Sequence, residues 1–279
     1  MGKIIFFVFL FSASFVFSQT EKEELELDNI LNELFNTEEL SIEAKKLSYL
    51  YYTLSYSDKA YFAGRDFGID QYGITPSLSF MSSNNLFVSL GSACYSELDP
   101  QWDLISLSAG FSKFLGKVEK LSLTGIFSRS FFLSNISDLN PNRISTSISF
   151  TDKNLKIRGS GGYLFGGSST FYASANTEYK IKLIEGQKLN LDFCPEVSFL
   201  FSKQTISEEI SFSSFNSIVN ETDVFDLINT QFSFPFEVDY GNWDFQLIYS
   251  INVPKSIGNE TDISQNGFLS FAIGYLVGL

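Results

Sequence analysis

Most of the chain repeats one pattern, in which apolar and polar side chains alternate residue by residue. The pattern begins near residue 47 and recurs to the end of the sequence, for example in ISTSISF at 144–150 and WDFQLIYSINV at 243–253. Successive side chains of a β-strand point to opposite faces, so each alternating stretch predicts a strand with one apolar and one polar face.

The length of these stretches indicates where the apolar faces point. Strands of soluble sandwiches and barrels are usually about five or six residues long, whereas strands that cross a membrane need about ten. The stretches here reach the membrane length. Aromatic residues near the predicted strand ends fit the girdles at the two membrane interfaces. They are Trp102, Tyr163, Phe201, Tyr240 and Trp243.

The connections between strands alternate between short and longer ones. The short ones are predicted at 82–85, 116–119, 152–154, 185–187 and 241–242, and the longer ones at 98–101, 133–141, 166–169, 203–224 and 254–266. Tight periplasmic turns opposite longer external loops are typical of outer-membrane barrels. The sequence therefore predicts an all-β fold, a twelve-stranded antiparallel up-and-down transmembrane barrel.

The first strand has two candidate positions, Leu47–Tyr56 and Lys59–Phe67, and either one gives twelve strands. We favour Leu47–Tyr56. Residues 58–73 then form the first external loop, which has room to fold inward, and Arg65 and Asp66 become candidates for ion pairing in a constriction.

The N-terminal part of the chain does not follow the alternating pattern. Residues 1–18 combine Lys3, an apolar run and small residues, as in a secretory signal peptide, with an anchoring helix as the less favoured alternative. Residues 19–46 are acidic, and their apolar side chains recur with a helical period, which predicts an amphipathic helical segment in the periplasm. Residues 47–279 are assigned to the barrel.

The sequence ends in FLSFAIGYLVGL, residues 268–279, which reads as the strand that closes the barrel. This tail resembles the C-terminal signal of outer-membrane barrels, although Leu279 stands where an aromatic residue is usual. The chain as a whole resembles Gram-negative, porin-like outer-membrane barrels of an uncharacterised family, notably in YFAGRDFGIDQYGITPSLSF (61–80) and SELDP (96–100). The resemblance implies outer-membrane lipid and the barrel-assembly machinery as partners, and it assigns no chemistry to any residue.

Composition removes several classes of function. The chain has no histidine, which outer-membrane hydrolases use as a base and which many metal sites require. Its net charge of −13 argues against nucleic acid as a partner. Cys94 and Cys194 are expected on opposite faces of their strands, so no disulfide is predicted. We expect no catalytic residue, no cofactor and no metal.

Charged residues at polar-face positions are the candidate site. They are Lys156, Arg158, Glu178, Lys180, Lys182, Asp192, Glu196, Glu237, Asp239 and Asp244. Rows of opposite charge facing each other across a lumen would orient a dipolar solute, whereas rows that pair with each other would close it. The sequence thus predicts a passive channel for small polar solutes, with a closed barrel in a structural or partner-binding role as the alternative.

Overall fold

A computed structural model describes residues 48–62, 64–66, 71–97, 102–116, 120–132, 140–167, 169–213, 216–256 and 263–279. The predicted signal peptide, 1–18, and the predicted helical segment, 19–46, lie outside these residues. No helix in the described ranges is long and apolar enough to span a membrane.

Twelve antiparallel strands follow one another around a closed barrel, as predicted. Their bounds are β1 (Tyr49–Ser57), β2 (Gly73–Met81), β3 (Leu86–Tyr95), β4 (Trp102–Leu115), β5 (Leu121–Phe132), β6 (Asn142–Asp152), β7 (Leu155–Phe165), β8 (Thr170–Tyr179 and Ile181–Glu185), β9 (Leu189–Phe193 and Glu196–Ser213), β10 (Asn216–Tyr240), β11 (Trp243–Pro254) and β12 (Asn266–Gly278).

The barrel closes where β1 pairs with β12, in an unbroken register from Tyr49 opposite Gly278 to Ser57 opposite Ser270. The favoured position of the first strand is therefore confirmed. Closure removes the two strand edges that an open sheet would expose. In lipid there is no water to form hydrogen bonds with the backbone N–H and C=O groups of such edges.

Both chain ends of the barrel and its tight turns lie at one end, which we call the turn end. The turns at Ser82–Asn85 and Gly241–Asn242 have the predicted positions, and Asn85 and Gly241 have the positive φ angles that tight turns require. The opposite end, called the loop end, carries the longer connections.

One predicted loop is wrong. Residues 203–224 are not a loop, because β9 continues to Ser213 and β10 starts at Asn216, with the two paired along their length. The hairpin that they form projects beyond the loop end. Ser and Asn residues in this stretch resemble loop composition, whereas the isoleucines, valines and phenylalanines between them favour strands.

The outer surface of the barrel is a belt of large apolar side chains, and every strand contributes to it. Exposed members, one from each strand, are Leu54, Phe80, Leu90, Leu107, Phe127, Ile148, Ile157, Phe171, Phe199, Phe234, Leu247 and Phe271. A continuous exposed apolar surface of this extent is unfavourable in water and favourable against lipid tails. The barrel is thus built to span a membrane.

Aromatic rings border this belt at both ends. Trp243 contacts Tyr275 at the turn end, with ring centroids 4.6 Å apart, and Tyr163 stacks on Phe171 at 4.5 Å near the loop end. Tyr240 is also exposed at the turn end. Such rings are typical of the interface between lipid tails and water. The side chain of Trp102 lies outside the described part of the structure.

Candidate functional site: the barrel interior

The inner face of the barrel is lined mainly by hydroxyl groups. Small polar residues occupy the inward positions of β2 to β6, where the alternating pattern turns them away from lipid. The buried ones on these strands are Ser79, Ser89, Ser108, Ser112, Ser122, Thr124, Ser128, Ser130, Ser145, Ser147 and Ser149. Among the described side chains on this part of the wall, Arg143 is the one buried charge, and Phe87 and Ile126 form a small buried apolar cluster.

Hydrogen bonds join the hydroxyls of neighbouring strands. Ser79 and Ser89 are 2.8 Å apart, and so are Ser108 and Ser128. Such cross-strand pairs each contribute about 0.2–1 kcal/mol. Ser108 and Ser128 are both only 2% exposed, so little water reaches the middle of this wall.

The charged residues of the interior lie toward the turn end of β7 to β11. Lys180 forms ion pairs with Asp192 at 3.3 Å and with Glu237 at 3.6 Å. Lys156 lies 3.8 Å from Glu178 on the neighbouring strand. These ion pairs join strands that lie side by side or one strand apart, so they run along the wall of the barrel.

Two carboxylates at the turn end are paired with each other in register. Asp239 of β10 lies directly opposite Asp244 of β11. Like charges at such positions repel each other. Asp244 accepts a hydrogen bond of 2.7 Å from the hydroxyl of Tyr51, which satisfies one of its oxygens. Asp239 and Asp244 therefore concentrate negative charge at this mouth.

Tyr51 reaches Asp244 because a glycine leaves space between them. Tyr51 lies on β1 and Asp244 on β11, and β12 separates the two strands. The tyrosine crosses β12 at Gly274, where an added Cβ would fall 2.7 Å from Cζ of Tyr51 and closer still to its hydroxyl. Glycine within a strand often marks such a close approach.

We expect Gly274→Ala to destabilise the barrel by about 1–3 kcal/mol, because the new methyl group displaces a buried tyrosine and breaks its hydrogen bond. Urea titration of the folded band in unboiled SDS gels measures the change. Gly159→Ala is the matched control, since nothing lies within 4 Å of a Cβ at that strand position. Equal stability of the two variants would contradict the assigned packing.

A second aromatic ring crosses a glycine in the same way. Tyr172 of β8 passes over Gly162 of β7, where an added Cβ would meet its ring and hydroxyl. Its ring lies 5.7 Å from the guanidinium carbon of Arg143 on β6, within cation–π range. The Arg143 side chain also donates a hydrogen bond to Ser145. Sequence reasoning missed Arg143, although it shares the parity of Ser145, Ser147 and Ser149.

At the loop end, the connection between β1 and β2 folds into the barrel, as the sequence allowed. We call its described residues, 58–62, 64–66 and 71–72, the inner loop. Ala60 packs against Ala93, Tyr95 and Leu104 of β3 and β4. Tyr61 is 3% exposed and contacts the ring of Phe268 on β12, with centroids 5.4 Å apart.

A row of asparagines fixes the inner loop on the β10–β12 side. Asn229 donates to Asn252, and Asn252 donates to Asn266, both at 3.0 Å. Asn266 then donates to the carbonyl oxygen of Gly64 at 2.8 Å. A Cβ at Gly64 would collide with Asn229, and the φ of +79° also favours glycine.

Arg65 adds a further contact, donating to the carbonyl oxygen of Lys255 at 2.9 Å. The side chain of Asp66 lies outside the described part. The inner loop thus contacts strands on both sides of the loop-end opening and crosses it.

The predicted site residues divide into two groups. Nine of the ten lie on the inner side of β7 to β11: Lys156, Arg158, Glu178, Lys180, Asp192, Glu196, Glu237, Asp239 and Asp244. Lys182 lies instead on the second segment of β8, in the short hairpin that this segment forms with β9, where its side chain is 48% exposed and pairs with Glu185 at 3.1 Å.

The cysteines form no disulfide, as predicted. Cys194 is buried where β9 is interrupted, and its thiol donates to a carboxylate oxygen of Glu237 at 3.3 Å. Among the described residues, no group of Cys, Asp and Glu side chains is arranged to hold a metal ion.

Comparisons with known proteins find similarity at the level of the barrel only. No protein-family model and no curated protein matches the chain. Among solved structures it is similar to the KdgM porin and the NanC porin, each with 10% identity, a TM-score of 0.46, and coverage of 81% of this chain and 98% of the other. It is also similar to LpxR from Salmonella typhimurium, with 9% identity, a TM-score of 0.39, and coverage of 81% and 99%.

Proposed function

We propose that the chain is a Gram-negative outer-membrane barrel and a passive channel for small polar solutes. The observation that carries the proposal is the polar inner wall, which continues from the asparagines at the loop end, through the serines, to the charges at the turn end. The interior of a transmembrane barrel is polar, and in porins it is filled with water.

The number of strands supports a pathway as well. About eight strands give an interior that side chains can fill, and sixteen or more leave a wide aqueous channel. Twelve strands lie between these limits. Serine carries a single hydroxyl beyond Cβ, so a serine wall leaves more room than a wall of large apolar residues would.

The charges at the turn end favour small polar or cationic solutes. Lys156 and Lys180 are engaged by carboxylates, whereas Asp239 and Asp244 form no ion pair with a described lysine or arginine. Negative charge at a narrow mouth raises the local concentration of cations. The net negative charge of the lumen therefore comes mainly from Asp239 and Asp244.

The inner loop sets the size limit at the other end. Tyr61 and Ala60 are buried inside the opening, and their contacts hold the loop across it. A solute must pass beside this loop, so the proposal is restricted to small molecules.

In this proposal the turn end faces the periplasm and the loop end faces the outside. Residues 1–18 serve as the export signal, residues 19–46 lie in the periplasm, and β12 is the strand that the barrel-assembly machinery binds. No catalytic role is proposed, since the chain has no histidine.

Swelling of proteoliposomes tests the proposal. Vesicles loaded with an impermeant polymer and containing the refolded protein should swell in arabinose, more slowly in sucrose, and not in a larger oligosaccharide, because the inner loop narrows the opening. Protein-free vesicles are the control. A barrel shown to be folded by its gel mobility that admits no solute would exclude the channel.

The closed barrel is the second candidate, and the burial of the inner hydroxyls favours it. Ser108 and Ser128 exchange a hydrogen bond with each other and have almost no exposure. In that case the barrel would serve as a structural element or bind a partner, and the same vesicles would not swell in any of the sugars.

A further inference from the structure

The hairpin that projects from the loop end is a two-stranded ribbon with no third strand. Pairing of β8 with β9 ends at Ser202, and pairing of β11 with β10 ends at Asn229. Beyond these positions, β9 and β10 pair only with each other in the described part of the chain, from Lys203 opposite Phe225 to Ser213 opposite Asn216. At about 3.3 Å per residue, each arm extends roughly 30 Å past the rim.

Ion pairs hold the base of this hairpin in place. Lys255, which follows β11, contacts both carboxylate oxygens of Asp226, at 2.8 and 2.6 Å. Lys203 pairs with Asp223 across the two arms at 2.7 Å. These pairs join the base of the hairpin to the residue after β11 and join its two arms to each other.

Among the described residues, no strand pairs with either outer edge of the hairpin. A two-stranded ribbon alone in water is marginally stable, and its outer backbone groups are a template for pairing. Exposed edges are usually protected by proline or by lysine. Residues 204–226 contain no proline, glycine, lysine or arginine.

The charge of the hairpin indicates which strand would fit. Between 204 and 226 the sequence carries five acidic residues, Glu208, Glu209, Glu221, Asp223 and Asp226, and no basic one. Asp223 and Asp226 pair with Lys203 and Lys255 at the base of the hairpin, which leaves Glu208, Glu209 and Glu221 as the acidic residues of its remaining part. A second copy of the hairpin would bring like charges together, which costs free energy at cross-strand positions. A strand with alternating basic residues would complement it.

We propose that this hairpin is a docking edge to which an extended basic segment of another protein adds as a third strand. Main-chain hydrogen bonds to the open edge provide affinity, and the acidic residues select a basic partner. The inference concerns the surface beyond the rim and is independent of whether the lumen conducts.

A fluorescent peptide of alternating Lys and Thr, about ten residues long, is the probe, and its binding to the full-length barrel in detergent is followed by anisotropy. Two matched peptides separate the contribution of charge from that of main-chain pairing. One replaces Lys with Glu, and the other keeps Lys but is N-methylated at successive positions, so that neither of its edges can pair with a strand. We expect the Lys peptide to bind at least roughly tenfold more tightly than either.

Two variants of the protein complete the test. In the first, an Asn-Gly turn joins Lys203 to Phe225, which face each other across the two strands, so the ribbon is removed and the barrel strands keep their register. In the second, Glu208, Glu209 and Glu221 are replaced by glutamine. The first should abolish binding and the second should weaken it about tenfold. Gel mobility confirms that each variant folds.

Three results would overturn the inference. The N-methylated peptide could bind as well as the Lys peptide, which would show that charge attraction alone, without strand pairing, accounts for binding. The shortened hairpin could retain binding. The full-length protein could dimerise through its hairpin, with the shortened variant monomeric, which would make a second copy the occupant.

Discussion

Replacing Ile148 with lysine should destabilise the folded barrel by about 2–4 kcal/mol, because the charge would be placed in the middle of the lipid-facing belt. Ile148 lies near the centre of β6 and is 51% exposed on the outer face. On a soluble protein, a lysine at so exposed a position would cost little. Denaturant titration of the protein refolded in phospholipid vesicles measures the difference.

Phe150→Lys is the matched control for this substitution. Phe150 lies on the same strand and the same face, is 40% exposed, and stands two residues nearer the turn end. The cost of lysine falls from the centre of the membrane toward the interface, so Phe150→Lys should cost less than Ile148→Lys. Equal costs at the two positions, or none at either, would show that the belt does not face lipid.

Freeing the inner loop should raise the conductance of the barrel several-fold. The double variant Tyr61→Ala and Asn266→Ala removes the ring contact with Phe268 and the hydrogen bond to Gly64. Both contacts hold the loop on the β12 side, so their loss leaves it attached through Ala60 and Arg65 and widens the gap beside β12. Currents through single proteins in planar bilayers report the change.

Tyr56→Ala controls for the loss of a tyrosine at the same end of the barrel. Tyr56 lies at the end of β1 on the outer face, and its partner Tyr72 is also exposed. This variant should conduct like the unmodified protein. An unchanged conductance in the double variant would mean that the inner loop does not limit the pathway.

The barrel could be predicted from the sequence because its determinants are local. Alternation assigns a face to each residue of a strand, and the turns at 82–85 and 241–242 separate strands of membrane-spanning length. Closure then requires one more strand before Tyr72, and Leu47–Tyr56 supplied it. Each step uses neighbours in sequence.

The contacts inside the barrel depend on register, which alternation does not define. The alternating pattern places Asp244 and Tyr51 on the inner face. Their contact also requires that Gly274, on the strand between them, lie at the same level of the barrel. The asparagine row Asn229–Asn252–Asn266 likewise joins three strands. If any of these strands were shifted by two residues, every side chain would stay on the same face of the barrel, but the contacts would be lost.

The hairpin stands where the sequence predicts a loop, for a related reason. Within the barrel each strand has neighbours on both sides and one face in lipid, which imposes strict apolar alternation. In the described part of the chain, residues 204–213 pair with a strand on one side only, and they lie beyond the belt, so their sequence is less constrained and resembles a loop. Residues 204–213 form a strand because they pair with the strand that starts at Asn216. The pattern of side chains within one segment does not reveal such pairing.

Single-channel recording in planar bilayers tests the central claim most directly, namely that the polar interior is a continuous pathway. The account predicts discrete current steps for the full-length barrel and larger steps for the Tyr61→Ala, Asn266→Ala variant. Gel mobility before and after boiling shows that each sample is folded. If neither the unmodified protein nor the variant carries current although both are folded, the claim is contradicted. The alternative of a closed barrel with a structural or partner-binding role is then favoured.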